Sequence, residues 1–342
     1  MRGQPRFAGG GTPTKSAVPR RPYGKERCTD SQQEIRRVTA VGVLVLAVVV
    51  TVAGFGERPA AVGRATDGKV AVVAAEDEYG NVASQIGGRF VTVDSVESNP
   101  NTDPHTYEVS PGVAQAVSSA QVVIQNGLGY DEFMTRIESA SPNGKRYVIN
   151  VQHLLGLPDS TTNPHLWYNP ITMPAVARKL AADFSSIKPS HAAYFRSNVE
   201  TFVTSLHPWL QAIARFKATY PETPVATTEP VADYMLEAAA TENKTPFTLQ
   251  ADIMNGVDPS PQDVTTQESL FSQHKVKVFV YNQQVTDSLT QSFITDAQNA
   301  HIPVIGVYET MPVPGYDYQS WMLAEVTALR KAVAHRDSTT RL

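Results

Sequence analysis

Two histidines in this 342-residue chain stand in matching local settings, Asp103-Pro104-His105-Thr106-Tyr107 and Asn163-Pro164-His165-Leu166-Trp167. In each, a proline that fixes the backbone φ angle precedes the histidine, and an aromatic residue follows two positions later. Such a context presents an imidazole rigidly from a loop with a ring packed behind it, which suits a metal ligand. Tyr107 and Trp167 then read as packing residues that hold the loops. His153, His191, His207, His274, His301 and His335 lack this context and read as surface residues. Neutral imidazoles leave the charge of a divalent ion uncompensated, so a site built on them calls for carboxylates. Two candidates follow apolar, strand-like runs: Glu229 in Ala226-Thr227-Thr228-Glu229-Pro230, and Glu309 in Val307-Tyr308-Glu309-Thr310-Met311-Pro312. Taken singly, each also reads as a solvated loop carboxylate or a helix-start residue.

The elements that must position these groups alternate short β-branched runs with amphipathic helical stretches, the pattern of parallel α/β layers. Strands are expected at Val70–Ala74, Phe90–Val93, Gln121–Gln125 and Arg146–Asn150, with helices at Tyr79–Ile86, Pro111–Ser118 and Asp131–Glu138 between them. From Pro170 to about Lys217 the periodicity is helical throughout, with a break near Lys188-Pro189-Ser190, where Ser190 suits a cap, and a candidate kink at Pro208. This stretch reads as a long helix joining two lobes. Beyond it, Val225–Thr228, Val276–Tyr281 and Pro303–Val307 read as strands. Val231–Ala240, Pro261–Ser272, Ser288–Ala300 and a closing stretch from Tyr318 to Ala334 read as helices. Ser260-Pro261 has the form of a cap followed by proline at the first helical position. The two histidines fall beside strand–helix junctions, where open α/β sheets bind ligands.

The composition, 42% hydrophobic, allows a sizeable core and two lobes. A net charge of −4 and a pI near 6.1 supply no broad basic field and argue against nucleic acid as a partner. Residues 1–37 are basic and rich in Gly, Pro and Ser, and read as disordered. Residues 38–55 form an uncharged apolar run of about 18 residues behind Arg36 and Arg37, a signal or membrane anchor that predicts an inside N-terminus and an exported body. Residues 56–68 read as a linker. The single Cys28 precedes the apolar run, so the exported part has no disulfide to form. Val52-Ala53-Gly54 has the small residues of a lipidation signal, but Phe55 stands where a cysteine would, so no lipid is expected.

Taken in their order along the chain, the two Pro-His motifs, Asn126-Gly127-Leu128-Gly129-Tyr130-Asp131 and Asp258-Pro259-Ser260-Pro261 resemble the substrate-binding proteins of zinc and manganese ABC uptake transporters. The resemblance runs from about Lys69 to His335. It implies two α/β lobes, each with a central parallel sheet flanked by helices, joined by a single long α-helix, with a metal site in the cleft. The lobes would be residues 69–169 and 218–336, the connection 170–217 and a tail 337–342. Carried over position by position, the family's four ligands fall on His105, His165, Glu229 and Glu309. The fourth is usually Asp in the family, which makes Asp317 the fallback for Glu309. The third is His in many zinc-binding members and Glu in manganese-binding ones, and the His-rich acidic loop of many zinc members is absent. Glu108 is a candidate to orient an imidazole, and equally a helix-start carboxylate.

The resemblance further implies a monomeric, extracytoplasmic, non-enzymatic receptor for zinc or manganese as cargo, with a membrane permease and an ATPase as partners and no organic cofactor. The chain itself carries no G-x-x-x-x-G-K-[ST] loop. A metal-dependent hydrolase would need an open coordination position and a base for bound water, and neither H-E-x-x-H nor G-x-S-x-G is present. A metal-binding adhesion protein or metallochaperone on the same scaffold is the other alternative.

Overall fold

The first strand, β1 (Val70–Glu76), is buried along nearly its whole length, as a strand covered by helices on both faces must be. Its neighbour β2 (Val91–Glu97) lies at a sheet edge and exposes Thr92 and Asp94. The structure, a computed structural model, describes residues 68–107, 109–312 and 315–342. The basic segment, the apolar run at 38–55, nearly all of the linker and Glu108 therefore lie outside the described residues. Among the described residues no helix is long and apolar enough to cross a membrane.

The first lobe continues through α1 (Asp77–Gly87), which precedes β2, then α2 (Pro111–Ser119), β3 (Val122–Gln125), α3 (Glu132–Ala140), β4 (Tyr147–Asn150) and the short α4 (Val151–Leu154). Its sheet is parallel, in the order β2-β1-β3-β4, with Val72 of β1 opposite Val93 of β2 and Val122 of β3. After α5 (Thr172–Ile187), α6 (Ala192–Ser205) and α7 (His207–Thr219), the second lobe begins with β5 (Pro224–Thr227). It runs on through α8 (Asp233–Ala238), β6 (Glu242–Asn243), α9 (Phe247–Met254), α10 (Pro261–Ser272), β7 (Val278–Asn282), α11 (Ser288–Asn299), β8 (Val304–Val307) and α12 (Tyr318–His335). This sheet is also parallel, in the order β6-β5-β7-β8. In each lobe the order reverses direction beside the first strand, so loops at the carboxyl ends of the strands face a crevice.

The connection differs from the expected single long helix: it is three helices. Pro189 disfavours helical geometry at the preceding residue, and Lys188 accordingly sits at φ −129°, ψ 74° and ends α5. Ser190 lies in a one-turn 3-10 helix, Pro189–His191, so α6 starts at Ala192 without a side-chain cap. Leu206 separates α6 from α7, where Pro208 lacks the N–H that a continuous helix would require. Ser260, by contrast, accepts the Asp263 N–H and caps α10 behind Pro261 as expected.

One apolar core runs through both lobes. Trp209 packs edge-on against Tyr318 with ring centroids 6.0 Å apart, and Tyr168 does so against Trp321 at 5.7 Å. Tyr318 donates to the Trp167 carbonyl at 2.6 Å, and Tyr168 to the Tyr308 carbonyl at 2.8 Å. Burying apolar and aromatic surface across the seam resists relative movement of the lobes. Part of the expected tail belongs to the second lobe: Thr339 bridges to Ile305 of β8, and a Cβ at Gly306 would collide with the Thr340 carbonyl and the Gln283 side chain.

Candidate metal centre

His105 and His165 are presented by the same device. The Asp103 side chain accepts the backbone N–H of His105 at 2.8 Å, and the Asn163 side chain accepts that of His165 at 3.0 Å. An Asx side chain closing such a turn, with proline between, leaves the imidazole little freedom. Asn163 Oδ1 also lies 2.8 Å from His165 Nδ1. That contact makes Nδ1 a donor and turns Nε2 toward the cleft, the orientation an outer partner gives a metal-binding imidazole. His105 follows β2, and His165 follows α4 in the loop ahead of α5.

Both Nε2 atoms lie 3.2 Å from Glu309 Oε2, at the loop after β8. His105, His165 and Glu309 can each offer a ligand atom with all three atoms within 4.8 Å of one another. Zinc–nitrogen and zinc–oxygen bonds of about 2.0–2.1 Å in a tetrahedron place donors roughly 3.3 Å apart, so the observed spacing suits one small cation. The His165 and Glu309 side chains are fully buried, whereas His105 is 22% exposed. It lines a groove of about 360 Å³ together with Tyr130, Pro164, Phe247 and Met254, which gives an ion a way in from solvent.

Tyr130 donates to the same Glu309 oxygen at 2.8 Å, and its ring meets those of His105, His165 and Trp167 edge-on at 5.1, 5.8 and 5.2 Å. It is held by an unusual turn. Gly127, Leu128 and Gly129 all have positive φ, and a Cβ on Gly127 would meet Gln152 Cβ at 2.9 Å. Asp131 accepts the backbone N–H groups of Asn126 and Gly127, and Asn126 in turn donates to the Pro164 carbonyl at 2.8 Å, fastening this turn to the His165 loop.

Glu229 follows β5 and is 3% exposed, but it stands outside the three-residue cluster. The Asn282 side-chain amide lies between the two glutamates, 2.5 Å from Glu309 Oε1 and 3.3 Å from either oxygen of Glu229. Asp317 stands outside the three-residue cluster and caps a helix: its side chain accepts the Ser320 N–H in a capping box that opens α12. His153, His207, His274, His301 and His335 are exposed, and His191 stacks on Phe90 with ring centroids 3.9 Å apart. Tyr107 packs against Phe133 at 5.2 Å.

The electrostatics follow from burial around one carboxylate. Burial disfavours a charged His105, but the hydrogen bond and charge of Glu309 more than offset it and raise the imidazole above its ordinary value. His165 is held below its ordinary value because complete burial outweighs the same carboxylate. Burial also works against the Glu309 charge, yet the two imidazoles hold its carboxyl well below the usual range. Burial, and then the charge of Glu309, push the Glu229 carboxyl well above its ordinary value.

Parallel sheets in two lobes, with two imidazoles and a buried carboxylate gathered in the cleft between them, define a two-lobed α/β protein. The family model for the periplasmic zinc-uptake complex component A, ZnuA, matches residues 72–332, and the chain belongs to that family. It is similar to the manganese-binding lipoprotein MntA of Bacillus subtilis (strain 168), 28% identical over 172 residues, or 48% of this chain and 56% of the relative. MntA of Halalkalibacterium halodurans is 26% identical over 182 residues, covering 52% and 60%. The alignments thus span little more than half the length of these relatives. Among solved structures, a periplasmic metal-binding protein from Candidatus Liberibacter asiaticus superposes with a TM-score of 0.63 at 19% identity, over 78% of this chain and 99% of that one. A crystal structure of ZnuA superposes with a TM-score of 0.64 at 17% identity, over 78% and 100%. Both likenesses are of fold.

Proposed function

We propose that this chain is an extracytoplasmic receptor that captures a divalent transition metal, zinc or manganese, and delivers it to the permease and ATPase of an ABC uptake transporter. The observation that carries the reading is the convergence of His105 Nε2 and His165 Nε2 on one buried oxygen of Glu309, each at 3.2 Å. Capture involves no bond-making beyond coordination. The ion enters by the His105 groove, replaces the proton held among the imidazoles and Glu309, and is closed off from water by Tyr130 and Trp167. Glu229 completes the set as a fourth donor once it turns away from Asn282. The family name supports zinc, and the manganese-binding relatives support manganese. Two imidazoles with two carboxylates accept either ion. The apolar segment at 38–55 serves in this reading as the export signal or anchor.

Titration of residues 57–342 with zinc and with manganese at pH 6, 7 and 8 tests the proposal. One ion per chain is expected, with affinity falling as pH drops. Because the His105 pKa is raised, its proton competes with the ion through and above the ordinary histidine range, costing about tenfold per pH unit for each proton displaced. No saturable binding, or binding indifferent to pH across this range, would count against it.

A further inference from the structure

Gln284 lies just beyond β7, is 8% exposed, and touches neither imidazole nor carboxylate in any hydrogen bond described. Its side-chain oxygen accepts the backbone N–H of Glu309 at 2.7 Å and that of Thr310 at 2.9 Å. Its side-chain nitrogen donates to the backbone carbonyl of Thr102 at 2.8 Å and to Thr310 Oγ1 at 3.1 Å. Thr102 belongs to the first-lobe loop that carries His105, whereas Glu309 belongs to the second lobe. The partners fix the orientation of the amide, since two N–H donors require its oxygen and a carbonyl requires its nitrogen. Only a side chain with a donor and an acceptor on one carbon can satisfy both sides. Its own backbone is anchored too, the Gln284 N–H donating to Asn282 Oδ1 at 3.0 Å.

We infer that Gln284 is a positioning residue that closes the metal centre by clamping the His105 loop to the backbone of Glu309 across the two lobes. This rests on the metal-capture reading above. The His105 loop is the more exposed side of the cluster, and His105 itself meets Glu309 through its ring. The clamp does so through backbone atoms, and so fixes where the His105 loop stands against Glu309, whose Oε2 lies 3.2 Å from His105 Nε2. A preorganised ligand pair slows release more than it speeds capture, because the entry groove is unaffected. Outer partners of metal ligands are generally worth about 10- to 100-fold in affinity.

Two variants separate the ends of the amide. Gln284→Met removes both, while Gln284→Glu keeps the acceptor for Glu309 and Thr310 but cannot donate to Thr102. Hydrogen exchange of the metal-free protein reads the clamp directly. Gln284→Met is expected to speed exchange in residues 99–107 and at 309–310, and Gln284→Glu in residues 99–107 alone. Zinc dissociation from Gln284→Met, followed with a chromophoric chelator, is expected to quicken about tenfold with association unchanged. Should Gln284→Met fail to fold, Gln284→Glu carries the exchange comparison. Unchanged exchange at 99–107 in the variants, or an altered melting temperature with unaltered zinc dissociation, would overturn the inference. A wild-type protein that binds neither zinc nor manganese would defeat the metal-capture reading instead, and the exchange comparison would still decide the role of Gln284.

Discussion

The double variant His105→Ala, His165→Ala is expected to bind zinc about 10,000-fold more weakly than the wild type while folding normally. Zinc bound by four protein donors is held by about 10–16 kcal/mol, so each donor carries roughly 3 kcal/mol, or about 100-fold, and two imidazoles together the square of that. The variant also removes both imidazoles that hold the Glu309 carboxyl below its usual range, leaving Tyr130 and Asn282 as its donors, so burial shifts that carboxyl upward and weakens it as a ligand. Competition against a chelator of known affinity measures the loss, with circular dichroism as the check on folding. Unaltered affinity in a folded double variant would remove the site assignment altogether.

Trp167→Ala is expected to damage both stability and capture. The indole is fully buried and meets Tyr79, Tyr130 and His165 edge-on at 6.5, 5.2 and 5.4 Å. Emptying such a volume costs about 3–5 kcal/mol, which for a domain of this size lowers the melting temperature by on the order of 10 °C. Trp209→Ala is the matched control, since Trp209 is equally buried but packs on Tyr318 in the seam between the lobes. Comparable destabilisation is expected from both, with zinc affinity of the folded protein reduced in Trp167→Ala alone. Equal affinity in the two variants would show that Trp167 only fills space.

What can be read in the sequence is whatever local patterning determines. The interior strands stand out because buried parallel strands are continuous apolar runs, the edge strands β2, β4 and β8 carry enough β-branched residues to be seen, and the Ser260-Pro261 cap is a local arrangement. The two Pro-His motifs are visible for the same reason, although the residue that fixes each turn is the Asx before the proline, not the aromatic after the histidine. β6 has two residues and α4 has four, too few for a periodic signal. The connection between the lobes reads as one helix because helical spacing resumes beyond the break at Pro189 and the kink at Pro208, although a helix ends ahead of each proline in the structure.

The site's remaining parts are hidden for a different reason. Asn282 and Gln284 matter through partners 25 to 182 positions away, and no spacing rule links a side-chain amide to a loop in another lobe. A signal for them does exist: the end of β7 runs on through Tyr281-Asn282-Gln283-Gln284, an amide-rich run at the carboxyl end of a parallel strand, where ligands collect. Glu309 and Asp317 are both acidic candidates near α12. The structure separates them because Asp317 is followed three residues later by Ser320 and forms a capping box, whereas Glu309 is buried within the cleft.

Anomalous scattering at the zinc absorption edge, from crystals grown with zinc, is the most direct measurement of the central claim. A single strong peak is expected with His105 Nε2, His165 Nε2 and a Glu309 oxygen at about 2.0–2.2 Å. A crystal in which zinc occupies another place, leaving Glu309 still hydrogen-bonded to the two imidazoles, would contradict it.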